Sequence, residues 1–285
     1  MNGTPWSEQE KNLIINNYPN LNCRQLMQLL PNRNYTMIRN TVSQLNLAQR
    51  KLKLNNLSKL NIDTYESYYW LGLLMADGYF SKTRLGLTLH NNDIEHLIKF
   101  NKYIESTNKI QKRKTDNCCT TQAMSKIDVE NIRNKFKIIG QKTYNPIDLS
   151  YFDNKNPEYF LSFICGFIDG DGCIQIKYGK KDTAKGSLRL TIIGNQSWKN
   201  NFIKMFKFLH VYFNEPITSK LPKIRHQKGT QPIDRFDTSI RSEQKIYHFA
   251  TFDLGRRSIL ESLKQEIIRL NLPFLTRKWD KIVIN

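Results

Sequence analysis

Cysteine is scarce here and carries no pattern. Of 285 residues, five are Cys, and no Cys-x-x-Cys pair occurs. That spacing supports neither a zinc site nor a disulfide framework, and it fits a reducing compartment. Cys118 and Cys119 are adjacent, and Cys165 and Cys173 lie within or beside one apolar run. No apolar run reaches the length that crosses a bilayer. No basic amphipathic helix stands out for a membrane surface, so no membrane partner is expected. Met1-Asn2-Gly3 opens neither a signal peptide nor an Arg-rich transit helix, so no targeting segment is expected.

Negative charge is also in short supply. Lys and Arg number 44 against 25 Asp and Glu, a net charge of +19. Residues 1–60 carry 8 basic against 2 acidic side chains, residues 61–150 carry 13 against 10, and residues 151–285 carry 23 against 13. A solubilising surface usually mixes the two signs more evenly. Positive charge spread through a globular chain with 11% aromatic residues points to nucleic acid. The expected setting is intracellular with access to DNA: the cytoplasm of a bacterial or phage host, or an organelle. The length admits two or three compact units.

Two stretches organise the rest. Tyr69-Trp70-Leu71-Gly72-Leu73-Leu74-Met75-Ala76-Asp77-Gly78 and Phe163-Ile164-Cys165-Gly166-Phe167-Ile168-Asp169-Gly170-Asp171-Gly172 share an outline. Each is an apolar run ending in a small residue, an Asp and a Gly. Gly72 and Ala76, like Gly166 and Gly170, lie four apart and so on one helix face. Small residues on one face let two helix backbones approach closely. A Gly just past a helix end is the common C-terminal stop. An Asp in the last turn faces the partial negative end of the helix. Pairing the helices would bring Asp77 and Asp171 together, 94 positions apart in sequence. Carboxylates set against the dipole and each other suggest a hard divalent cation, Mg²⁺ or Ca²⁺. Metals near clustered carboxylates and phosphates suit in-line phosphodiester displacement. The plainer reading is two core helices whose Asp residues cap neighbouring turns. Duplication of the whole pattern weighs against it.

Both runs resemble the LAGLIDADG motif of the homing endonucleases. Ile164 to Gly172 matches nearly position for position, whereas Met75 stands where the family usually has its first Asp. The resemblance covers about Asn61 to the C-terminus. It implies an α+β fold with two pseudo-twofold-related αββαββα halves forming a DNA-binding saddle, and a monomer carrying two motifs. It implies that Asp77 and Asp171, with the carbonyls of Ala76 and Gly170, hold Mg²⁺, with Mn²⁺ as a substitute and Ca²⁺ binding without turnover. Lys142 and Lys278, each just after a closing helix, match the family's active-site lysine. The implied reaction is hydrolysis of one strand per Asp, without a covalent intermediate, across the minor groove and leaving short 3′ overhangs. The partner is double-stranded DNA, cut at a long asymmetric site. The rival readings are an RNA-binding intron maturase on the same fold, with intron RNA as partner, and a non-catalytic DNA-binding regulator. An intein is disfavoured by Met1 and by Ile284 before Asn285.

Residues 1–47 read as three short helices. Ser7-Glu8-Gln9-Glu10 fits a capping box, Pro19-Asn20 breaks the first helix, and Asn22 caps a second, Cys23 to Leu30, with Leu26, Leu29 and Leu30 inward. A third, Thr36 to Leu45, has Ile38, Val42 and Leu45 inward and Arg39, Asn40, Ser43 and Gln44 outward. The layout is that of a helix-turn-helix domain whose last helix enters the major groove. Trp6-Ser7-Glu8-Gln9-Glu10 resembles the opening of Myb/SANT-like domains. A helical protein-interaction module is the alternative. Residues 48–61 read as a basic linker, 62–150 as the first half and 151–285 as the second.

In the first half the reading places a hairpin over Tyr79 to His90, a helix over Ile94 to Ile104, strands over Lys109 to Lys114 and Cys118 to Ser125, and a helix over Val129 to Ile139. In the second, strands over Cys173 to Tyr178 and Leu188 to Ile193 precede a helix over Phe202 to Phe213. Strands over Ile217 to Arg225 and Lys245 to Phe252 flank a basic insertion, and Ser258 to Leu270 closes. Lys82, Arg84, Lys112, Lys114, Lys177, Arg189, Lys220, Lys223, Arg225 and Arg241 are the candidate DNA contacts on the strands and their loops. Any one of them is more often a phosphate contact or a solvated charge than a base reader. Asn91 and Asn195 sit at comparable strand ends.

Overall fold

The computed structural model describes residues 5–18, 21, 23–45, 47, 55–113, 115–177, 187–216, 225–229, 247–255 and 257–282. At 176–177, 187–189, 193, 196, 225–229, 247–255 and 257 only the backbone is described. Of the expected DNA contacts, Lys114, Lys220, Lys223 and Arg241 lie outside the described residues, and the side chains of Lys177, Arg189 and Arg225 do too. So do Asn22, most of the strand expected at 217–225, and most of the basic insertion.

The chain divides into two compact units, Met1–Lys53 and Leu54–Asn285. In the smaller, helices α1 (Glu8–Asn17), α2 (Cys23–Leu29) and α3 (Tyr35–Gln44) enclose Ile14, Leu26, Leu30, Ile38 and Val42. Ser7 and Glu10 form a reciprocal capping box at α1. Helix α3 starts one residue earlier than expected, because the Asn34 side chain accepts the Met37 amide at 2.9 Å. Leu29, expected inward, is 44% exposed; α2 ends there, and Leu30 takes the core position. Arg33, in the α2–α3 turn, is buried. It donates twice to Glu10, once to the Pro5 carbonyl, and lies 4.3 Å over the Trp6 ring.

The larger unit repeats one order of elements. The first pass is α4 (Tyr65–Asp77), β1 (Gly78–Phe80), β2 (Arg84–His90), α5 (Ile94–Tyr103), β3 (Gln111–Arg113), β4 (Cys118–Met124) and α6 (Lys126–Lys135). The second is α7 (Pro157–Asp171), β5 (Gly172–Lys177), β6 (Ser187–Asn195), α8 (Lys199–Tyr212), β7 (Arg225–Gly229), β8 (Tyr247–Gly255) and α9 (Arg257–Arg269), followed by a short helix, α10 (Thr276–Trp279). Both sheets are antiparallel and four-stranded, with orders β1-β2-β4-β3 and β5-β6-β8-β7.

Several expectations move; helix α8 begins at Lys199 rather than Phe202, and β3 is only Gln111–Arg113. Helix α6 begins three residues before Val129 because Ser125, expected in the strand, accepts the Asp128 amide as an N-cap. It stops before Ile139 because Lys137 takes a positive φ of 48°. The expected linker is shorter than 48–61: Leu57 and Leu60, on a helical turn at Leu57–Asn61, are buried in the core of the larger unit. Strand β7 covers Arg225–Gly229, so His226 to Gly229, expected in the insertion, belong to a strand.

One core holds this unit together, centred on α4 and α7. From Ser67 to Met75 and from Phe160 to Asp169 every residue is buried. A helix apolar all round belongs inside; α4 is covered by α7 and by β1 and β2, and α7 by α4 and by β5 and β6. On β2, Leu85, Leu87 and Leu89 point inward, as do Cys119, Thr121 and Ala123 on β4. The opposite face carries Tyr79, Arg84, Thr88, Thr120, Gln122 and Met124, and Thr88 pairs with Thr120 across the strands at 2.9 Å.

Candidate active site

The site is built by glycine. A β-carbon added at Gly72 would overlap the Phe163 carbonyl oxygen and lie 2.9 Å from the Phe167 nitrogen. One at Gly166 would overlap the Tyr69 carbonyl oxygen and lie 3.0 Å from the Leu73 nitrogen. The two backbones therefore touch, which only glycine permits. Farther along, Gly170 faces Ala76, and the Gly170 α-carbon leaves room for the Asp77 carboxylate, whose Oδ2 lies 3.3 Å from where its β-carbon would be. The helices end at the same level, and Asp77 and Asp171 are their last residues.

Gly78 and Gly172 follow, but not for the expected reason. Both have extended φ (−85° and −78°), so no left-handed cap is involved. A β-carbon at Gly78 would overlap the Leu74 carbonyl oxygen, and one at Gly172 would lie 2.5 Å from that of Ile168. Glycine is needed here for close approach as the chain turns directly from helix into strand.

Lys142 and Lys278 reach over these helix ends. The Lys142 ammonium donates to the Met75 and Ala76 carbonyls, each at 2.6 Å. The three N–H groups of Lys278 are shared among four carbonyls in reach, those of Ile168 (3.1 Å), Gly170 (2.8 Å), Gly172 (3.0 Å) and Asp169. The orphan carbonyls of a helix C-terminus favour a cation, and each lysine supplies one to its own helix. Each also eases the placement of an Asp there.

The electrostatics are those of four charges held close. Asp77 is half-buried, and its pKa rises to about 6, first through desolvation and then through the Asp171 charge; Lys278 and Lys142 oppose this. Asp171 opens to solvent on one side. The protein on its other sides desolvates it and raises its pKa, against the pull of Lys142 and Lys278. Both lysines are shifted down by desolvation, against the opposing pull of the carboxylates. A cavity of about 200 Å³ adjoins Asp171 and Lys142, bordered by Ala76, Asn195 and Trp198. Asn195 accepts the Ser197 amide at 3.0 Å, and Asn91 donates to Asn117 at 2.7 Å.

Asp169 was legible only as a motif residue, yet it organises one side of the site. It is fully buried and accepts from the Tyr69 hydroxyl (2.5 Å), the Leu275 amide (2.8 Å) and the Trp279 indole (2.6 Å). The Tyr69 proton is spent on Asp169, so His96 Nε2, 2.9 Å away, is the donor to Tyr69. Burial pushes the His96 pKa down to about 3 and keeps it neutral. Met75 holds the corresponding place on α4 and offers no such acceptor. An Asp169→Asn change turns one acceptor into a donor facing a donor. Leaving one buried donor unpaired should cost about 1–3 kcal/mol, read as a lower denaturant midpoint.

Of the expected DNA contacts among the described residues, Lys82 lies in the β1–β2 turn, Arg84 opens β2 and Lys112 lies on β3, all exposed. In the smaller unit Arg39, Asn40, Ser43 and Gln44 are all exposed on α3. Among the described residues no cluster of three or more His, Cys, Asp or Glu occurs. A Mg²⁺ site needs no such cluster, since one or two carboxylates, waters and substrate phosphates suffice. Two adjacent carboxylates at the helix ends meet that requirement. The Ala76 and Gly170 carbonyls each retain a second lone pair beside the lysine bond. Among the described residues no helix is long and apolar enough to cross a membrane.

No family model matches the chain, and no curated protein matches it. Among solved structures, it is similar to the I-LtrWI LAGLIDADG homing endonuclease bound to target DNA, at 12% identity and a TM-score of 0.47, over 79% of this chain and 88% of that one. It is also similar to the LAGLIDADG meganuclease I-CpaMI bound to uncleaved DNA, at 16% identity and a TM-score of 0.39, over 76% and 85%. A third is I-SmaMI bound to an uncleaved DNA target in the presence of calcium ions, at 11% identity and a TM-score of 0.44, over 75% and 89%.

Proposed function

We propose that the chain is a site-specific double-strand DNA endonuclease of the LAGLIDADG type. The observation that carries this reading is the pair Asp77 and Asp171, set side by side at the ends of two touching helices, each with its own lysine. Asp77 and Asp171 would hold Mg²⁺, with the Ala76 and Gly170 carbonyls nearby. The cation would supply charge neutralisation on the phosphodiester and lower the pKa of attacking water. Lys142 and Lys278 would steady the negative charge that grows on the phosphate, or hold the water for each strand.

The sheets β1-β2-β4-β3 and β5-β6-β8-β7 would form a saddle about a pseudo-twofold axis through the helix pair. Their open faces would lie in successive major grooves of a long, asymmetric duplex. Lys82, Arg84 and Lys112 would contact DNA in one half. Lys114, Lys177, Arg189, Lys220, Lys223, Arg225 and Arg241 remain proposals from sequence. The three-helix unit would act as a helix-turn-helix, extending the footprint with Arg39, Asn40, Ser43 and Gln44 of α3. The protein would act as a monomer. The direct test is strand-resolved cleavage in Mg²⁺. Binding of DNA or intron RNA without any cutting would instead favour the regulator or the maturase.

Metal affinity should depend on pH. A carboxylate must be ionised to take a cation, and the Asp77 pKa of about 6 puts proton competition just below neutrality. Mg²⁺ affinity measured calorimetrically on the protein alone should fall roughly tenfold from pH 7 to pH 5. An affinity flat across that window would remove Asp77 from the metal site.

A further inference from the structure

Each catalytic lysine is tethered by the opposite half of the larger unit. The segment that carries Lys142 follows α6, in the first half, but lies along the start of α8, in the second. The Trp198 indole donates to the Lys142 carbonyl at 2.8 Å, and Ser197 donates to that of Thr143 at 3.2 Å. Asn201 donates to the Ile147 carbonyl at 2.9 Å, and Lys204 to that of Leu149 at 2.9 Å. The segment that carries Lys278 lies in the second half and is held by the first. Arg277, its immediate neighbour, makes a two-pronged ion pair with the buried Asp93, just before α5. The Asp169 carboxylate that accepts from Leu275 and Trp279 is itself bonded by Tyr69 of α4.

We infer that Trp198 and the Asp93–Arg277 pair are positioning residues, each setting one lysine from across the molecule and so each governing the cutting of one strand. This rests on the endonuclease reading above. The physical ground is that small displacements of a group at the reacting phosphate are costly. A shift of about 1 Å can cost on the order of a hundredfold in rate. A brace acting at the lysine's own backbone, or at the adjacent residue, is well placed to prevent such a shift. The braces are unequal. Each segment keeps other bonds when its brace is lost, Asp169 for Lys278 and Ser197, Asn201 and Lys204 for the stretch after Lys142, but Trp198 acts at the lysine's own carbonyl and Arg277 only at the adjacent residue.

The test uses the whole protein on a cleavable duplex with the two strands labelled differently. Trp198→Phe keeps a ring to pack against Phe167 and Phe202 and removes the indole donor, together with the volume of one ring, a packing loss that would not by itself single out one strand. Asp93→Asn removes the charge that holds Arg277, and Arg277→Gln reads the same brace at an exposed side chain. Trp198→Phe should slow one strand about tenfold, while Asp93→Asn and Arg277→Gln should slow the other about threefold. The two lesions should spare opposite strands, and nicked duplex should accumulate in each case. Asp93→Asn combined with Arg277→Gln should lose no more than either alone, since both break one contact. Equal loss on both strands, or the same strand slowed by both lesions, would overturn the inference. Failure of the unsubstituted protein to cut either strand would instead overturn the endonuclease reading.

Discussion

Gly166→Ala should prevent the larger unit from forming in its native arrangement. The added methyl would occupy the position of the Tyr69 carbonyl oxygen and lie 2.8 Å from its carbon. Its neighbours are helix backbone, which has no rotamer to turn aside, so α4 and α7 must separate. Over-packing a closely packed interior costs typically about 1–3 kcal/mol, and this case falls at or beyond the upper end because backbone rather than side chain is struck. Separation would also part Asp77 from Asp171 and uncover the aromatic layer around Phe163 and Phe167. Gly72→Ala should behave alike, since its methyl would meet the Phe163 carbonyl. The measurement is the urea midpoint of each variant against Ala76→Gly, a change on the same face that adds no volume. Midpoints close to that of the parent would show that the helices do not touch as described.

Asp77→Asn and Asp171→Asn should each abolish double-strand cleavage, by about a thousandfold or more, while leaving DNA binding intact. Removing an ionised group that acts at the reacting phosphate typically costs this much. Stability should move the other way. Folding raises the Asp77 pKa from 3.8 to about 6, so between those values the folded state binds the extra proton. Stability of the metal-free protein therefore falls as pH rises through that window, and above about pH 6 the charged carboxylate is a net burden. Two pKa units correspond to about 3 kcal/mol, which screening at this half-buried site reduces to roughly 1–2 kcal/mol. Asp77→Asn should thus melt higher than the parent at pH 7.5 without metal and lose that advantage near pH 4. Added Mg²⁺ should narrow the difference by stabilising the parent. A variant less stable than the parent at neutral pH would place Asp77 among structural caps.

The paired helices were legible because two signals coincide there, small residues four apart and an Asp-Gly stop. The first helix start followed from its capping box, and the hairpins from the short turns within them. What escaped was long-range. Arg33 reads as part of a turn, yet it bonds Glu10 from 23 positions away. Asp93 is one acidic residue before a helix, and its partner Arg277 lies 184 positions on. Trp198 carries no signal in the sequence, and only tertiary placement aims its indole at the Lys142 carbonyl. Gly78 and Gly172 were legible as stops, but the cause is backbone contact rather than a left-handed φ. The start of α6 was misread because Ser125 fits the end of a strand as well as an N-cap.

The most direct measurement is cleavage of a randomised duplex library in Mg²⁺ by the parent protein beside Asp77→Asn and Asp171→Asn. The account predicts discrete double-strand cuts at one long asymmetric motif, lost in each variant while both still bind that motif. A parent that binds duplex DNA or structured RNA but never cuts, or an Asp77→Asn variant that cuts as the parent does, would contradict it.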